Sequence, residues 1–167
     1  MPDTSTEVAI ATTTLGSATF GFTFSSIPST YTDLRLVITG STTNNDYGYI
    51  SLNSDTGNNY SYTVLTGNGS AAASTRATNA GFLTLNINQN LLANNPFMMT
   101  FDFMSYSGST FKTVLETLSN DKNGSGAVER SVQLWRSTSA INSIYMYVGT
   151  GNLNIGTTAT LYGILKA

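Results

Sequence analysis

The stretch that decides the fold is Ser17-Ala18-Thr19-Phe20-Gly21-Phe22-Thr23-Phe24, in which apolar residues alternate with small or polar ones. A β-strand turns successive side chains to opposite faces, so a period of two is expected where one face is buried and the other meets water. A helix would instead repeat its apolar residues about every 3.6 positions. We therefore expect a strand here, with Phe20, Phe22 and Phe24 together on its buried face.

The same alternation recurs along the whole chain. It is present in residues 34–38, 47–52, 82–87, 98–104, 132–135, 144–148 and 158–164. Clusters rich in Asn, Asp, Ser and Gly, which bend a chain readily, separate these runs at residues 42–46, 53–59 and 120–124. This pattern predicts an all-β fold, a single antiparallel jelly-roll-like β-sandwich. A short turn of helix is expected only at Leu91-Leu92-Ala93, before Asn94-Asn95-Pro96 ends it.

The chain of 167 residues has the size of one domain. We assign residues 17–167 to the β-sandwich and residues 1–16 to an N-terminal arm or a first edge strand. A free arm from Pro2 to Leu15, with Val8 and Ile10 as apolar residues, would add to the sheet edge of a neighbouring subunit. Its removal would then abolish partner binding and leave the fold intact. The alternative is the first strand of the chain's own sandwich, and the sequence favours neither.

Charged residues make up only 10% of the chain, against about 25% in a typical soluble protein. Aromatic residues reach 11% and the formal net charge is −2, a composition that favours folding and tolerates close assembly with further copies. The seven basic residues are scattered from Arg35 to Lys166, which argues against nucleic-acid binding. No stretch approaches the roughly 20 apolar residues of a membrane span, and the N-terminus does not resemble a secretory signal.

The residue types argue against catalysis. The chain contains no histidine and no cysteine, so the commonest general base and the thiolate nucleophile are absent. Asp102 lies in an apolar run, where the period of two alone places it on the outer face of a strand. We predict that the chain is not an enzyme and has no catalytic residue. Two carboxylates would suffice to hydrolyse a glycosidic bond, and the candidates are Asp102, Glu116, Asp121 and Glu129.

One loop has part of the pattern of a calcium site. Residues 53–59 (NSDTGNN) carry oxygen ligands at alternate positions. Asp55 is the only anionic residue among them and no closing glutamate follows, so a hairpin tip held by Asx turns is the preferred interpretation. Gly67-Asn68-Gly69 does not lead into a helix, unlike a phosphate-binding loop. We predict no metal site and no cofactor.

Aromatic residues suggest a possible carbohydrate site, because their faces pack against sugar rings. Core packing and subunit interfaces use the same residues, and we favour that interpretation of them. The residues in question are Tyr47, Tyr49, Tyr60, Tyr62, Trp135, Tyr145 and Tyr147.

Three segments resemble small β-sandwich structural proteins of tailed bacteriophages. They are residues 24–37 (FSSIPSTYTDLRLV), 50–61 (ISLNSDTGNNYS) and 159–164 (ATLYGI). The likeness extends from about Ser17 to the end of the chain and depends on the order and spacing of the segments. Proteins of this kind occur as separate virion proteins and as parts of tail fibres.

The resemblance implies a virion structural protein on the outside of the particle, made in the cytoplasm of the bacterial host. Because only about sixteen residues precede the first strong strand and contain no heptads, we expect a capsid decoration, or cement, protein rather than a fibre tip. It would be a homotrimer on the capsid exterior that stabilises the shell by binding the major capsid protein. The alternative is a tail-fibre or receptor-binding module that recognises host surface glycans.

Overall fold

The computed structural model describes residues 7–88, 90–121 and 123–165. Twelve β-strands follow one another in these residues: β1 (Glu7–Thr14), β2 (Gly21–Phe24), β3 (Asp33–Gly40), β4 (Gly48–Leu52), β5 (Tyr60–Gly67), β6 (Ala72–Ala80), β7 (Leu83–Leu85), β8 (Phe97–Met104), β9 (Lys112–Asn120), β10 (Ala127–Trp135), β11 (Ile144–Val148) and β12 (Thr158–Ile164). Within the described residues there is no helix of the length and apolarity needed to cross a membrane.

Two sheets pack face to face. The larger has eight strands in the order β1-β12-β3-β8-β9-β10-β5-β6, and the smaller has four in the order β2-β11-β4-β7. Every pair of neighbouring strands in both sheets is antiparallel. The prediction of an all-β, antiparallel, jelly-roll-like sandwich is confirmed.

The hydrophobic core fills the space between the sheets. On β8 the alternate residues Met99, Phe101 and Phe103 are fully buried, as the period of two predicts. β3 repeats this pattern in the same sheet and β11 repeats it in the opposite one. Their fully buried residues are Leu34, Leu36 and Ile38 on β3 and Ile144, Met146 and Val148 on β11.

Phe20 departs from the pattern that first indicated a strand. Phe22 and Phe24 lie on the buried face of β2, but β2 begins only at Gly21. Before it, Thr19 forms an isolated bridge with Leu153. Phe20 keeps 43% of its surface exposed. The prediction that all three phenylalanines share one buried face is wrong for Phe20, because the regular strand does not extend back to it.

Two expectations for residues 82–96 are also corrected. The expected strand ends at Leu85 and excludes Ile87, because Asn86 turns the chain with a positive φ of 57°. Leu91, expected in a turn of helix, is fully buried and forms an isolated bridge with Asp46. Backbone pairing between Leu91 and Asp46 therefore replaces the helical turn.

Residues 7–14 form an edge strand of the larger sheet. β1 pairs with β12 from Glu7 opposite Ile164 to Thr14 opposite Thr158. Ile10, Ala11 and Leu15 pack partly buried against the core. This part of the proposed arm is therefore engaged in the chain's own sheet, while residues 1–6 lie outside the described residues.

Candidate functional site

Aromatic side chains form a continuous row on the outer face of the smaller sheet. We call the aromatic row the rings of Phe20, Tyr49, Phe82, Tyr145 and Tyr147. Tyr147 is central to it, with ring centroids 5.0 Å from Tyr145, 5.4 Å from Tyr49 and 5.9 Å from Phe20. Tyr49 extends the row to Phe82, whose centroid lies 4.3 Å away. The rings are partly exposed, so the row is an accessible aromatic surface.

The strand register explains why these rings meet. Residues of β11 alternate between the core and the outer face, so Tyr145 and Tyr147 both point outward. Tyr147 is opposite Tyr49 on β4 and opposite Gly21 on β2. A Cβ at Gly21 would lie 2.9 Å from Tyr147 Cβ and 3.0 Å from Tyr145 Cε2. The Met146 carbonyl oxygen would be closer still, so Gly21 lets β2 approach the backbone of β11 and also leaves room for the two tyrosines.

Asp46 fixes the ends of the two strands that carry the tyrosines. Its side chain accepts hydrogen bonds from the backbone N–H groups of Tyr47, Gly149, Thr150 and Gly151, at 2.7 to 3.1 Å. Burial alone would raise the pKa of Asp46, but these hydrogen bonds outweigh it and hold that pKa below its ordinary value. The ionised carboxylate thus connects the start of β4 to the loop after β11.

The hydroxyls of Tyr49 and Tyr147 keep their protons. Burial raises the pKa of Tyr49, and the negative charge of Asp46 raises it further. Burial likewise raises the pKa of Tyr147. A neutral phenol both donates and accepts a hydrogen bond, which matches the hydroxyl groups of a sugar. The row therefore combines apolar ring surface with neutral polar groups.

The other aromatic residues singled out in the sequence have different places. Tyr60 is fully buried and its hydroxyl donates to the Asp55 carbonyl oxygen at 3.0 Å. Trp135 is also buried and stacks on Tyr60. Tyr47 is exposed and Tyr62 half-buried. The sequence did not indicate Phe20 and Phe82 as partners in the row, because alternation assigned Phe20 to the core.

Of the four candidate carboxylates, the fold brings only Glu116 and Glu129 near each other. Asp102 lies on the outer face of the larger sheet, as predicted, where Arg35 Nε donates to its Oδ1 at 2.7 Å. Glu116 and Glu129 lie on the opposite, inward face, each with only 1% of its surface exposed. Asp121 is exposed in a turn, where it accepts a hydrogen bond from the Gly124 N–H. The arrangement offers no shared cleft for a two-carboxylate mechanism.

Glu116 and Glu129 belong to a buried polar network. Ser131 Oγ donates to Glu116 Oε2 at 2.7 Å, and Thr66 Oγ1 donates to Glu129 Oε2 at 2.6 Å. Burial, reinforced by the charge of Glu129, raises the pKa of Glu116 to about 8. Burial also raises the pKa of Glu129, although backbone N–H groups of residues 86–88 oppose it.

Gln133 extends this network to the edge of the smaller sheet. The N–H of Thr84 donates to Gln133 Oε1 at 2.8 Å, and Gln133 Nε2 donates to the Thr84 carbonyl oxygen at 2.7 Å. One side-chain amide thereby satisfies both backbone groups of a β7 residue, as a neighbouring strand would. The polar residues inside β10 hold β7 against the larger sheet, which is a structural role.

The loop proposed as a partial calcium pattern is held by its own hydrogen bonds. Asp55 Oδ1 accepts from the Gly57 N–H at 2.8 Å, as an Asx turn requires. Asp55 Oδ2 accepts from Trp135 Nε1 at 2.7 Å and from Asn59 Nδ2 at 3.0 Å. The Asx turn is confirmed, but the prediction of a hairpin tip is wrong, because the loop joins β4 of the smaller sheet to β5 of the larger sheet and these two strands do not pair. In the part of the chain that the structure describes, no three His, Cys, Asp or Glu side chains are grouped as a metal site would need.

A groove of about 710 Å³ lies where β3 ends and β8 begins. Its walls include Phe97, Met98 and Ile155, and Asp121 stands at its side. Thr157 Oγ1 and Asn120 Nδ2, on two lining residues, are buried without a hydrogen-bond partner. The groove is apolar and lacks the exposed ring surface of the aromatic row.

Comparisons with known proteins concern the fold. The chain matches no protein-family model, and no curated protein matches it in sequence. Among solved structures it is similar to the crystal structure of Caenorhabditis elegans galectin LEC-6, at 11% sequence identity and a TM-score of 0.41. The similarity covers 90% of this chain and 94% of that chain. At so low an identity, the likeness concerns the β-sandwich alone.

Proposed function

We propose that this chain is a non-catalytic binding protein of a tailed-bacteriophage particle and that its aromatic row binds carbohydrate on the host surface. The phage context comes from the sequence resemblance. The observation that carries the binding site is the contiguous row from Phe20 through Tyr147 to Phe82. Sugar C–H groups pack on aromatic surface, and the neutral tyrosine hydroxyls supply hydrogen bonds to sugar hydroxyls.

Tyr145 provides the most direct test of the carbohydrate site. Within the row its ring contacts only Tyr147, so its removal leaves the other ring contacts of the row in place. Binding of the purified chain to a glycan array, and to cells by adsorption, would be measured. Tyr145→Ala should weaken binding about tenfold by removing ring contact. Tyr145→Phe separates the contribution of the ring from that of the hydroxyl.

The matched control is Phe111→Ala, which removes an exposed ring that lies outside the row. It should bind as the wild type does. Equal binding by Tyr145→Ala and wild type, or no binding to any glycan or host cell, would contradict the carbohydrate site.

A second candidate is the capsid decoration protein, bound as a homotrimer to the major capsid protein. A free arm no longer supports it, because Glu7–Thr14 pair with β12. The observation that favours it is the outer face of the larger sheet, where Leu65, Val128 and Val132 expose 58%, 56% and 46% of their surfaces. The strand register also places Val132 opposite Leu115, so the side chains of Val132 and Leu115 are neighbours on this face.

The two candidates predict different effects of Val132→Lys. A charged side chain among the exposed apolar residues of this face should release a decoration protein from capsids. Cosedimentation with particles that lack the protein measures this binding. Ile155→Lys, at an apolar residue that is 69% exposed outside this face, is the control. If Val132→Lys binds capsids as well as wild type does, the decoration role through this face is wrong.

A further inference from the structure

β6 is an open edge of the larger sheet. In the order of strands it lies last, hydrogen-bonded to β5 alone among the described strands. Its residues, AASTRATNA, are small or polar, and most are exposed. The outer edge of such a strand presents a row of backbone N–H and C=O groups that another strand can pair.

The other three sheet edges are each protected. β1 has a register shift between Ala9 and Ala11, and such a bulge twists an edge away from a partner. β2 is only four residues long. β7 is three residues long, and Gln133 already bonds both backbone groups of its central residue.

β6 has only one of these devices, a bulge at Asn79, and it lies at the C-terminal end of the strand. Its ladder with β5 is regular from Ala72 opposite Gly67 to Thr78 opposite Ser61, and the irregularity falls at its very end. It contains neither proline nor lysine, and Arg76 is its one charged residue. Natural sheets rarely leave a long regular edge strand without protection, so we expect another β-strand to pair with this edge.

We infer that β6 pairs antiparallel with β6 of a second copy of this chain, joining the two eight-stranded sheets across a two-fold axis. An antiparallel strand can pair with itself, so the contact is the same surface on both copies and closes as a dimer. The low net charge of −2 leaves little repulsion between copies.

Charge selects the register. Placing Thr75 on the two-fold axis pairs all of residues 72–78 and sets Ser74 of one copy opposite Arg76 of the other. Moving the axis to Arg76 would set two arginines opposite each other, which is unfavourable. Moving it to Ser74 would shorten the paired segment, and moving it to Ala77 would include the irregular end of β6. With a copy of this chain as the occupant, the Thr75 register is therefore the favoured one.

Opposite charges at Ser74 test this register. Ser74 is exposed, so both variants should fold. Ser74→Lys places a positive charge opposite Arg76 twice in each dimer and should raise the dimer dissociation constant about tenfold. Ser74→Glu should lower it. Sedimentation velocity over a wide range of protein concentration measures both.

A single cysteine tests the axis. The chain has no cysteine, so any disulfide formed by Thr75→Cys joins two copies. Paired antiparallel residues have Cα atoms about 4.5–5.5 Å apart, within the range that a disulfide spans. Thr117→Cys, exposed on the central strand β9, is the control and should not cross-link.

These measurements have decisive outcomes. Opposite shifts for the two Ser74 variants, with a cross-link specific to Thr75→Cys, support the β6 dimer. A wild-type chain that stays monomeric at every concentration, a trimer, or equal shifts for both variants would overturn it. So would a dimer that Thr75→Cys cross-links no better than Thr117→Cys does.

Discussion

Glu116 is a carboxyl group whose ionisation the fold opposes. Its side chain is 1% exposed between the two sheets, and burial raises its pKa from 4.5 to about 8. Below pH 4.5 the folded and unfolded chains both hold this proton. Between pH 4.5 and about 8 only the folded chain holds it, so the free energy of unfolding falls as pH rises.

Replacing Glu116 with glutamine should remove the part of this pH dependence that comes from Glu116 and leave the part that comes from Glu129, whose pKa burial also raises. Over the range from pH 4.5 to about 8 the wild type loses up to about 1.4 kcal/mol per pH unit through Glu116, and Glu116→Gln does not. Urea unfolding at a series of pH values measures the difference, with the variant more stable than wild type at the alkaline end.

Thr117→Gln is the matched control, because it adds a glutamine on the exposed face of the same strand. It should follow the wild-type pH profile. Parallel profiles for wild type and Glu116→Gln would show that the buried carboxyl does not cause the loss.

Single residues also show what the sequence predicted and what it did not. Asp102 was placed correctly on the outer face, because Phe101 and Phe103 define its strand face. The same rule could not place Glu116 and Glu129 in the interior, because nothing in the sequence distinguishes a buried carboxylate from an exposed one. Their burial depends on Ser131 and Thr66, which long-range strand pairing brings to them.

Among the strands, alternation worked where one face is apolar. It located β3, β8, β11 and β12, whose inward residues are hydrophobic. It did not reveal β9, where Lys112, Glu116 and Asn120 are inward-facing and buried. It also did not reveal β6, whose small residues are exposed on both faces and show no contrast.

The aromatic row was predictable only in part. Tyr145 and Tyr147 share a face by their spacing on one strand, which the sequence shows directly. Their contact with Tyr49 depends on the pairing of β11 with β4, which are far apart along the chain. A single sequence gives strand faces but not strand order, so the row appeared only with the sheet.

At the scale of elements, β1 changes the expected result of an N-terminal truncation. Deleting the chain up to Leu15 should destabilise the fold rather than leave it intact, because it uncovers the edge of β12. Loss of the partly buried Ile10 alone should cost about 1–2 kcal/mol. Tm measured by circular dichroism should fall clearly.

Deletion of residues 1–6 leaves all of β1 in place and is the matched control for this truncation. It should lower Tm less than deletion up to Leu15 does, because β1 stays paired with β12. An unchanged Tm after deletion up to Leu15 would show that β1 contributes little to the stability of the sandwich.

At the scale of the whole molecule, the formal charge overstates how acidic the surface is. Asp33, Asp46, Glu116 and Glu129 are all buried, with 8%, 3%, 1% and 1% of their surfaces exposed. The surface charge therefore comes from fewer acidic groups than the composition suggests. This agrees with a molecule whose exposed faces meet other surfaces closely.

The position of β6 at the edge of the larger sheet affects how many binding sites a dimer would present to a cell surface. In the β6 dimer that we infer, a two-fold axis perpendicular to that sheet leaves both smaller sheets on the same side, so the pair would present two copies of the proposed carbohydrate site to one surface. Bivalent attachment of this kind typically gains about 10²- to 10⁴-fold in avidity. The Ser74→Lys variant should therefore bind a densely glycosylated surface more weakly than the wild type does. Its affinity for a free saccharide in solution should equal that of the wild type.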